Sequence, residues 1–370
     1  MIKKLYLICD LVKHSTNPMI PFFKRSIVVL TIVVAFCSIT CNKDSSIASA
    51  GSMSEFETRL DQLRNKSNIP GMVAGIEKNG QITWTKSYGF ENKESSKPVS
   101  NTTIFHLASL TKTFASIVIM QLVKENKINL NDPVSKYGVN LTEQDTVRVI
   151  HLLTHTSEGK PGTKYSYNGD RYALLSNVIQ SATGKSFHLL ATERIMRPLG
   201  LNNTAPRDMQ MAAQDGFDTL HLQTNTAQGY ASNGKDRVNY PLGVSTAAGF
   251  ISNITDMLNY ARAYDENLLL TDDQKAKVFS PMMSNSGKAF PYGLGWFVQE
   301  IEGVKVTWHY GYWVGMSSLI IRIPDKKISF VLMANSDMLS APYPLGAGNL
   351  TVSHYAMEFL KSFVLTGAKL

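Results

Sequence analysis

The sequence predicts an α+β fold: a mixed, mainly antiparallel sheet with flanking helices and an inserted all-helical lobe. Two strand-like runs, residues 72–76 and 82–88, flank Asn79-Gly80, a strong short-range signal for a tight hairpin. The middle third, about 125–240, reads mostly as helix. Four further strand-like runs, 293–300, 304–309, 317–323 and 328–335, form a meander before a closing helix over 354–364.

The chain has 370 residues, 44% hydrophobic and 18% charged, so it is globular and long enough for one large domain or two small ones. Its net charge is +8, but residues 1–41 hold Lys3, Lys4, Lys13, Lys24 and Arg25 against Asp10 alone. Without that stretch 32 basic and 28 acidic residues remain, a net of +4 with no Lys/Arg run, which argues against nucleic acid. Cys9, Cys37 and Cys41 all fall in the same stretch, so the domain beyond it has neither an internal disulfide nor thiolate chemistry.

Lys24-Arg25 precede an apolar run over 27–39, too short for a comfortable membrane span and right for a signal-peptide core. The polar Asn42-Lys43-Asp44-Ser45-Ser46 follows Cys41, which resembles a bacterial lipoprotein processing site with Cys41 as the lipidated residue. A simple secretory signal cut near Ala48-Ser49-Ala50 is the alternative. The expected organisation is a signal segment over 1–41, a flexible tether over 42–54, and a folded domain over 55–366 whose helical lobe spans about 125–240. The expected location is the periplasm or cell envelope, with membrane contact through the lipid anchor.

Ser54, with Glu57 three residues on, reads as a helix cap, and Phe56, Leu60 and Leu63 recur at helical spacing before Pro70. After the hairpin, residues 105–107 lead into Ser109, and Phe114, Ile117, Val118, Ile119, Met120, Leu122 and Val123 are apolar nearly all round. That pattern predicts a buried core helix. Asn131-Asp132-Pro133 breaks regularity, 147–154 is helical again, and Thr183-Gly184-Lys185 separates helices over 170–183 and 187–199. A helix over 256–264 follows, and Ile323-Pro324-Asp325-Lys326-Lys327 is turn chemistry between the last two strands. No repeat of 20–50 residues is present.

Ser109-Leu110-Thr111-Lys112 opens the core helix and places an amine one turn from a hydroxyl. A serine hydroxyl is a weak nucleophile and needs such an adjacent proton acceptor. The same spacing also fits Ser109 as a helix cap with Lys112 solvated in the first turn. A second copy, Ser157-Glu158-Gly159-Lys160, runs into Pro161-Gly162 and reads as a loop. His151 and His155 share a helix face, but Leu152 stands where a metalloprotease motif has Glu, so they read as structural loop histidines. Gly-x-Ser-x-Gly is absent. Trp308, Tyr310, Tyr312 and Trp313 read equally as core or as a substrate-lining wall.

Two more stretches complete a pattern. Pro161-Gly162-Thr163-Lys164-Tyr165-Ser166-Tyr167-Asn168 is a tyrosine-bearing loop opening onto a helix, and Val306-Thr307-Trp308-His309-Tyr310-Gly311 ends a strand in His-x-Gly. Together with Ser109-x-x-Lys112 and His151-Leu152-Leu153-Thr154-His155-Thr156-Ser157, these resemble the penicillin-binding type of serine hydrolase. The likeness is to the class C β-lactamase, D-alanyl-D-alanine carboxypeptidase and esterase branch, over about 56–335 in the family's motif order.

The resemblance implies a β-lactamase/transpeptidase-like fold, Ser109 as acylated nucleophile, Lys112 as its activator and Tyr167 as proton relay. It implies His309 at the family's Lys/His-x-Gly position, the backbone N–H groups of Ser109 and Tyr312 as oxyanion hole, and Gly311 and Asn168 as substrate-binding positions. No metal and no cofactor are implied. The expected partner is a small-molecule or peptidoglycan-derived peptide substrate. The family's Tyr-x-Asn reads Tyr167-Asn168-Gly169 here, with Asn one place early, and Glu158 stands where the family often has Gly. Ser166-Tyr167-Asn168 read as Ser-x-Asn is the alternative alignment. The expected activity is an exported serine hydrolase acting on an ester, small amide or D-amino-acid peptide. The alternatives are a catalytically weak binding or sensing module and a true β-lactamase.

Overall fold

Asn79 and Gly80 take φ of 53° and 82°, the two left-handed residues that a two-residue hairpin turn requires, and they join β1 (Gly71–Lys78) to β2 (Gln81–Asn92). Lys78 pairs with Gln81, so the turn fixes the register. The computed structural model describes residues 50–143, 145–240 and 243–365. The expected signal segment, with Cys41, lies outside the described residues.

Five more strands complete the sheet: β3 (Lys97–Pro98), β4 (Phe297–Ile301), β5 (Val304–Trp313), β6 (Met316–Ile323) and β7 (Ile328–Ala334). Their order is β3-β2-β1-β7-β6-β5-β4, and every pairing is antiparallel. The first hairpin therefore docks β1 against the last strand of the meander, Met72 opposite Ala334. β6 and β7 are buried along their whole length, as strands covered on both faces must be.

One face is covered by α1 (Ala50–Lys66) and the closing helix, where Phe330 stacks on Phe359 at 4.7 Å and Phe56 meets Phe363 edge-on at 4.9 Å. The other face carries α2 (Thr111–Lys124) and α3 (Ile254–Asp265). A Cβ at Gly75 would stand 2.6 Å from Leu258 Cδ1, so the glycine lets α3 lie close on β1. Eleven of the fourteen residues of α2 are buried, which makes it a central pillar, and Ile117→Ala there would cost about 2–5 kcal/mol.

Four expectations are corrected. Helix α1 begins at Ala50, inside the expected tether, and runs through Ser54, whose carbonyl accepts from Thr58 Oγ1, so Ser54 lies within the helix and is not its cap. The expected helix over 170–183 divides at Leu174 into Gly169–Ala173 and Leu175–Thr183. The lobe over 125–240 is not all helix, since Ala205–Pro206, Gly229–Tyr230 and Arg237–Val238 are short strands. The strand expected over 293–300 begins at Phe297, because Gly295 at φ 88° turns the chain tightly against Ser116 and Tyr172. Among the described residues no helix is long and apolar enough to cross a membrane.

Candidate active site

A second, small sheet builds the turn that carries Ser109. Phe105–His106 pairs with Phe250–Ser252, which pairs in turn with Ala205–Pro206. The chain leaves it through Ala108, held at φ 46°, into a 3₁₀ turn, Ala108–Leu110, and then into α2. Neither the turn nor α2 has a side-chain cap, so Ser109 is not capping. Its hydroxyl is left for chemistry.

Lys112 is 1% exposed, not solvated. Its Nζ donates to Ser109 Oγ at 2.9 Å and to the Ala247 carbonyl at 3.0 Å. It stands 5.2 and 5.4 Å from the ring centres of Tyr167 and Tyr172, and Tyr172 Oη anchors the helix by donating to the Lys112 carbonyl at 3.1 Å. Burial penalises the ammonium and pulls Lys112 down to about 7, with Asp170 opposing the shift. Near neutral pH a large fraction is therefore free amine, whose lone pair can face Ser109 Oγ while an N–H holds Ala247.

Tyr167 is half-buried, with its hydroxyl oxygen fully buried and without a hydrogen-bond partner in good geometry. Burial, with Tyr310 adding, pushes the phenol well above 10, and nearby Ser109 opposes the rise. Tyr167 is thus a protonated phenol beside Ser109 at neutral pH.

Asn168 does not line the cleft. Its Oδ1 caps the helix at Arg171 N (3.0 Å), its Nδ2 donates to Glu158 Oε1 (2.8 Å), and its backbone N–H donates to His155 Nδ1 (3.1 Å). The two departures from the family pattern, Glu158 and Asn168, thus bond to each other. Gly169 does line the cleft, and a Cβ built there would stand 4.0 Å from Lys112 Nζ.

His309 is fully buried behind Tyr167, ring centres 6.2 Å apart, and is not a cleft-lining residue. Its Nδ1 donates to the Tyr310 carbonyl at 2.7 Å, which leaves Nε2 to accept from Tyr292 Oη at 2.8 Å. Burial, then the charge of Lys112, hold its pKa well below 6.5, so it is neutral. The strand of His309 approaches Ser109 at Gly311, where a Cβ would stand 2.3 Å from the Leu107 carbonyl and 2.8 Å from Ser109 N. Ser318 Oγ on β6 locks the junction by donating to the same Leu107 carbonyl at 2.7 Å.

The four aromatic residues divide by face. Trp308 and Tyr310 are core, while Tyr312 and Trp313, 45% and 58% exposed, line the cleft with Ser109. His151 closes a helix cap at Arg148, and the fully buried His155 sits against Tyr167 at 4.4 Å between ring centres. Ser157 and Lys160 lie on a loop that turns at Gly159, φ 66°.

The cleft at Ser109 encloses about 250 Å³. Sequence reading missed Ala247, Tyr172, Asp170 and Arg207 around it. The small-residue run Gly243-Val244-Ser245-Thr246-Ala247-Ala248-Gly249 was the available signal of close backbone approach. Nothing in the sequence pattern marks Arg207.

The geometry can be set beside known proteins. The family model described as Beta-lactamase matches residues 56–347. The chain is 23% identical over 323 residues to Penicillin-binding protein 4* of Bacillus subtilis (strain 168), covering 76% of this chain and 71% of that one. It is 25% identical over 331 residues to Protein flp of Staphylococcus aureus (strain MW2), covering 77% of this chain and 63% of that protein's length. In structure it resembles the octameric penicillin-binding protein homologue from Pyrococcus abyssi, with a TM-score of 0.71 at 23% identity over 84% of this chain and 77% of that one.

Proposed function

This chain belongs to the β-lactamase family, and from that premise we propose that it is an exported serine hydrolase that forms an acyl-enzyme on Ser109 and releases it to water. The observation that carries this reading is the buried Lys112 amine, 2.9 Å from Ser109 Oγ with its pKa near neutrality. The neutral amine takes the Ser109 proton as Oγ attacks the acyl carbonyl. The oxyanion forms against the backbone N–H groups of Ser109 and Tyr312. Tyr167 O–H protonates the leaving group and is reprotonated at the expense of the Lys112 ammonium. In deacylation water stands in the place of the serine hydroxyl: the Lys112 amine takes its proton as it attacks the acyl carbonyl, Tyr167 O–H protonates Ser109 Oγ as that bond breaks, and the Lys112 ammonium reprotonates Tyr167.

The substrate class is an ester, a small amide or a D-amino-acid peptide, the last including peptidoglycan-derived peptides. β-Lactam hydrolysis fits less well, because the neutral, buried His309 supplies no positive charge where the family often has Lys. Labelling with a fluorophosphonate or a fluorescent penicillin tests the reading: an adduct on Ser109, absent in Ser109→Ala, is expected, and no adduct with either probe overturns it. Gly169, where the family has Asn, favours a second reading, a penicillin-recognising sensor without turnover. Nitrophenyl ester hydrolysis by the wild type, lost in Ser109→Ala, removes that reading. Export and anchoring at Cys41 belong to the proposal, and mass analysis of the membrane-extracted protein without acyl groups on Cys41 overturns the anchor.

A further inference from the structure

Among the described residues, the cleft at Ser109 has one permanent cation on its wall. Among its lining residues, the side chains that can carry positive charge are Lys112, His106 and Arg207. Lys112 is the proton acceptor and is largely neutral when it works. His106 is buried, and burial with the neighbouring charge of Arg207 keeps it neutral. Arg207 remains.

Its guanidinium has no ion pair and no side-chain hydrogen bond among the described residues, although Asp170 lines the same cleft. It is instead held by stacking: the guanidinium lies 4.7 Å from the ring centre of Tyr240, and Tyr240 lies 3.8 Å from His106. The stack is braced at both ends. Tyr240 Oη donates to the Gly315 carbonyl at 2.6 Å, on the β5–β6 hairpin that carries Tyr312, and a Cβ at Gly229 would collide with that hydroxyl at 2.0 Å. Arg207 N–H donates to the Gly249 carbonyl at 2.8 Å, in the segment that supplies Ala247 to Lys112. A half-buried, unpaired guanidinium fixed to both walls of a catalytic cleft has five donors and no acceptor of its own.

We propose that Arg207 is the specificity-determining residue of this cleft and that the substrate carries a carboxylate, which the guanidinium binds while Ser109 attacks the acyl group. The assignment rests on the acyl-enzyme reading above. A planar fork matches a carboxylate in two parallel hydrogen bonds, and water competes less where the arginine is half-buried.

Two substrate sets test this. Nitrophenyl monoesters of glutaric, adipic and pimelic acid, each against its terminal carboxamide, place the carboxylate on the acyl side at three reaches. Acetyl thioglycolate against acetyl thioglycolamide places it on the leaving group. Wild-type enzyme is expected to prefer at least one carboxylate over its neutral partner by about 10- to 100-fold in kcat/KM. Arg207→Gln should lose that preference through KM, read as the carboxylate-to-carboxamide ratio of kcat/KM within each enzyme so that any general loss of rate cancels. Arg207→Lys should restore part of it, as a charge without the fork. A preference surviving in Arg207→Gln, or absent from the wild type in both sets, overturns the assignment. Fluorophosphonate labelling of Ser109 reports separately on the acyl-enzyme reading, so an enzyme that labels but shows no preference refutes Arg207 alone.

Discussion

Replacing Lys112 with Met should make the protein more stable at neutral pH and inactive. The side chain is almost entirely buried, and its pKa falls from 10.5 to about 7 on folding. A basic group with a lowered folded pKa binds fewer protons in the native state, so stability falls as pH drops from 10.5 towards 7 and the full cost stands below that. At about 1.36 kcal/mol per unit the cost near pH 7 is about 4–5 kcal/mol. Met keeps the length and removes this cost, but it forfeits the bond to Ser109 Oγ, about 1 kcal/mol, and leaves the Ala247 carbonyl unpaired, about 1–3 kcal/mol. The net gain is about 0–3 kcal/mol at pH 7, a rise of up to a few degrees in Tm. At pH 10.5 the proton term is nearly gone and the lost bonds remain, so the variant should be the less stable protein there. Thermal unfolding of both proteins from pH 6.5 to 10.5 should give crossing curves. A variant less stable at every pH, or a Tm difference that does not change with pH, refutes the placement of a buried, near-neutral amine at Ser109.

The same amine sets the pH dependence of rate: kcat/KM should rise about tenfold per unit below pH 7 and level above it, with no alkaline loss from Tyr167, which burial holds well above 10. A profile flat from pH 5 to 9 would exclude Lys112 as the base. Tyr167→Phe should lower kcat by about 10²–10⁴ without loss of Tm, because the deleted hydroxyl is buried and poorly partnered, and a large Tm drop would show a structural role instead. Gly311→Ala drives a methyl into two backbone atoms that cannot move aside, Leu107 O and Ser109 N, so β5 must shift from the nucleophile turn and kcat should fall about 10²–10³. Wild-type kcat in that variant would sink the oxyanion assignment.

Legibility in the sequence follows the range of the interaction. The Asn79-Gly80 hairpin and the apolar helix after Ser109 are local, and both stand where periodicity and turn chemistry put them. Two-residue strands such as Phe105–His106 and Ala205–Pro206 carry no period of their own and exist only because Phe250–Ser252 lies between them. The same distinction divides the site. The hydroxyl and amine of Ser109 and Lys112 share one helical turn and were readable, whereas the partner that fixes the amine, Ala247, lies 135 residues away. The aromatic residues around His309 gave no sign of their division because strand alternation tells which share a face, not which face is wet.

The second motif shows how the departures fit together. Moving Asn one place forward, to 168, takes the amide out of the cleft and into the helix cap, where it needs a partner on its other end. Glu158, in the place of a glycine, provides that partner at 2.8 Å. The exchange leaves Gly169 facing Lys112 with no side chain, so the amine's fixed partners are Ser109 and a backbone carbonyl, and its pKa is governed by burial rather than by an amide. A neutral His309 removes the other cation that would face the nucleophile from β5. With both family contacts to substrate withdrawn from this wall, Arg207 on the opposite side of the chain's small sheet is the group left to orient an anionic substrate. Restoring an amide by Gly169→Asn should therefore change the pH profile through Lys112 before it changes the preference for carboxylates, which depends on Arg207.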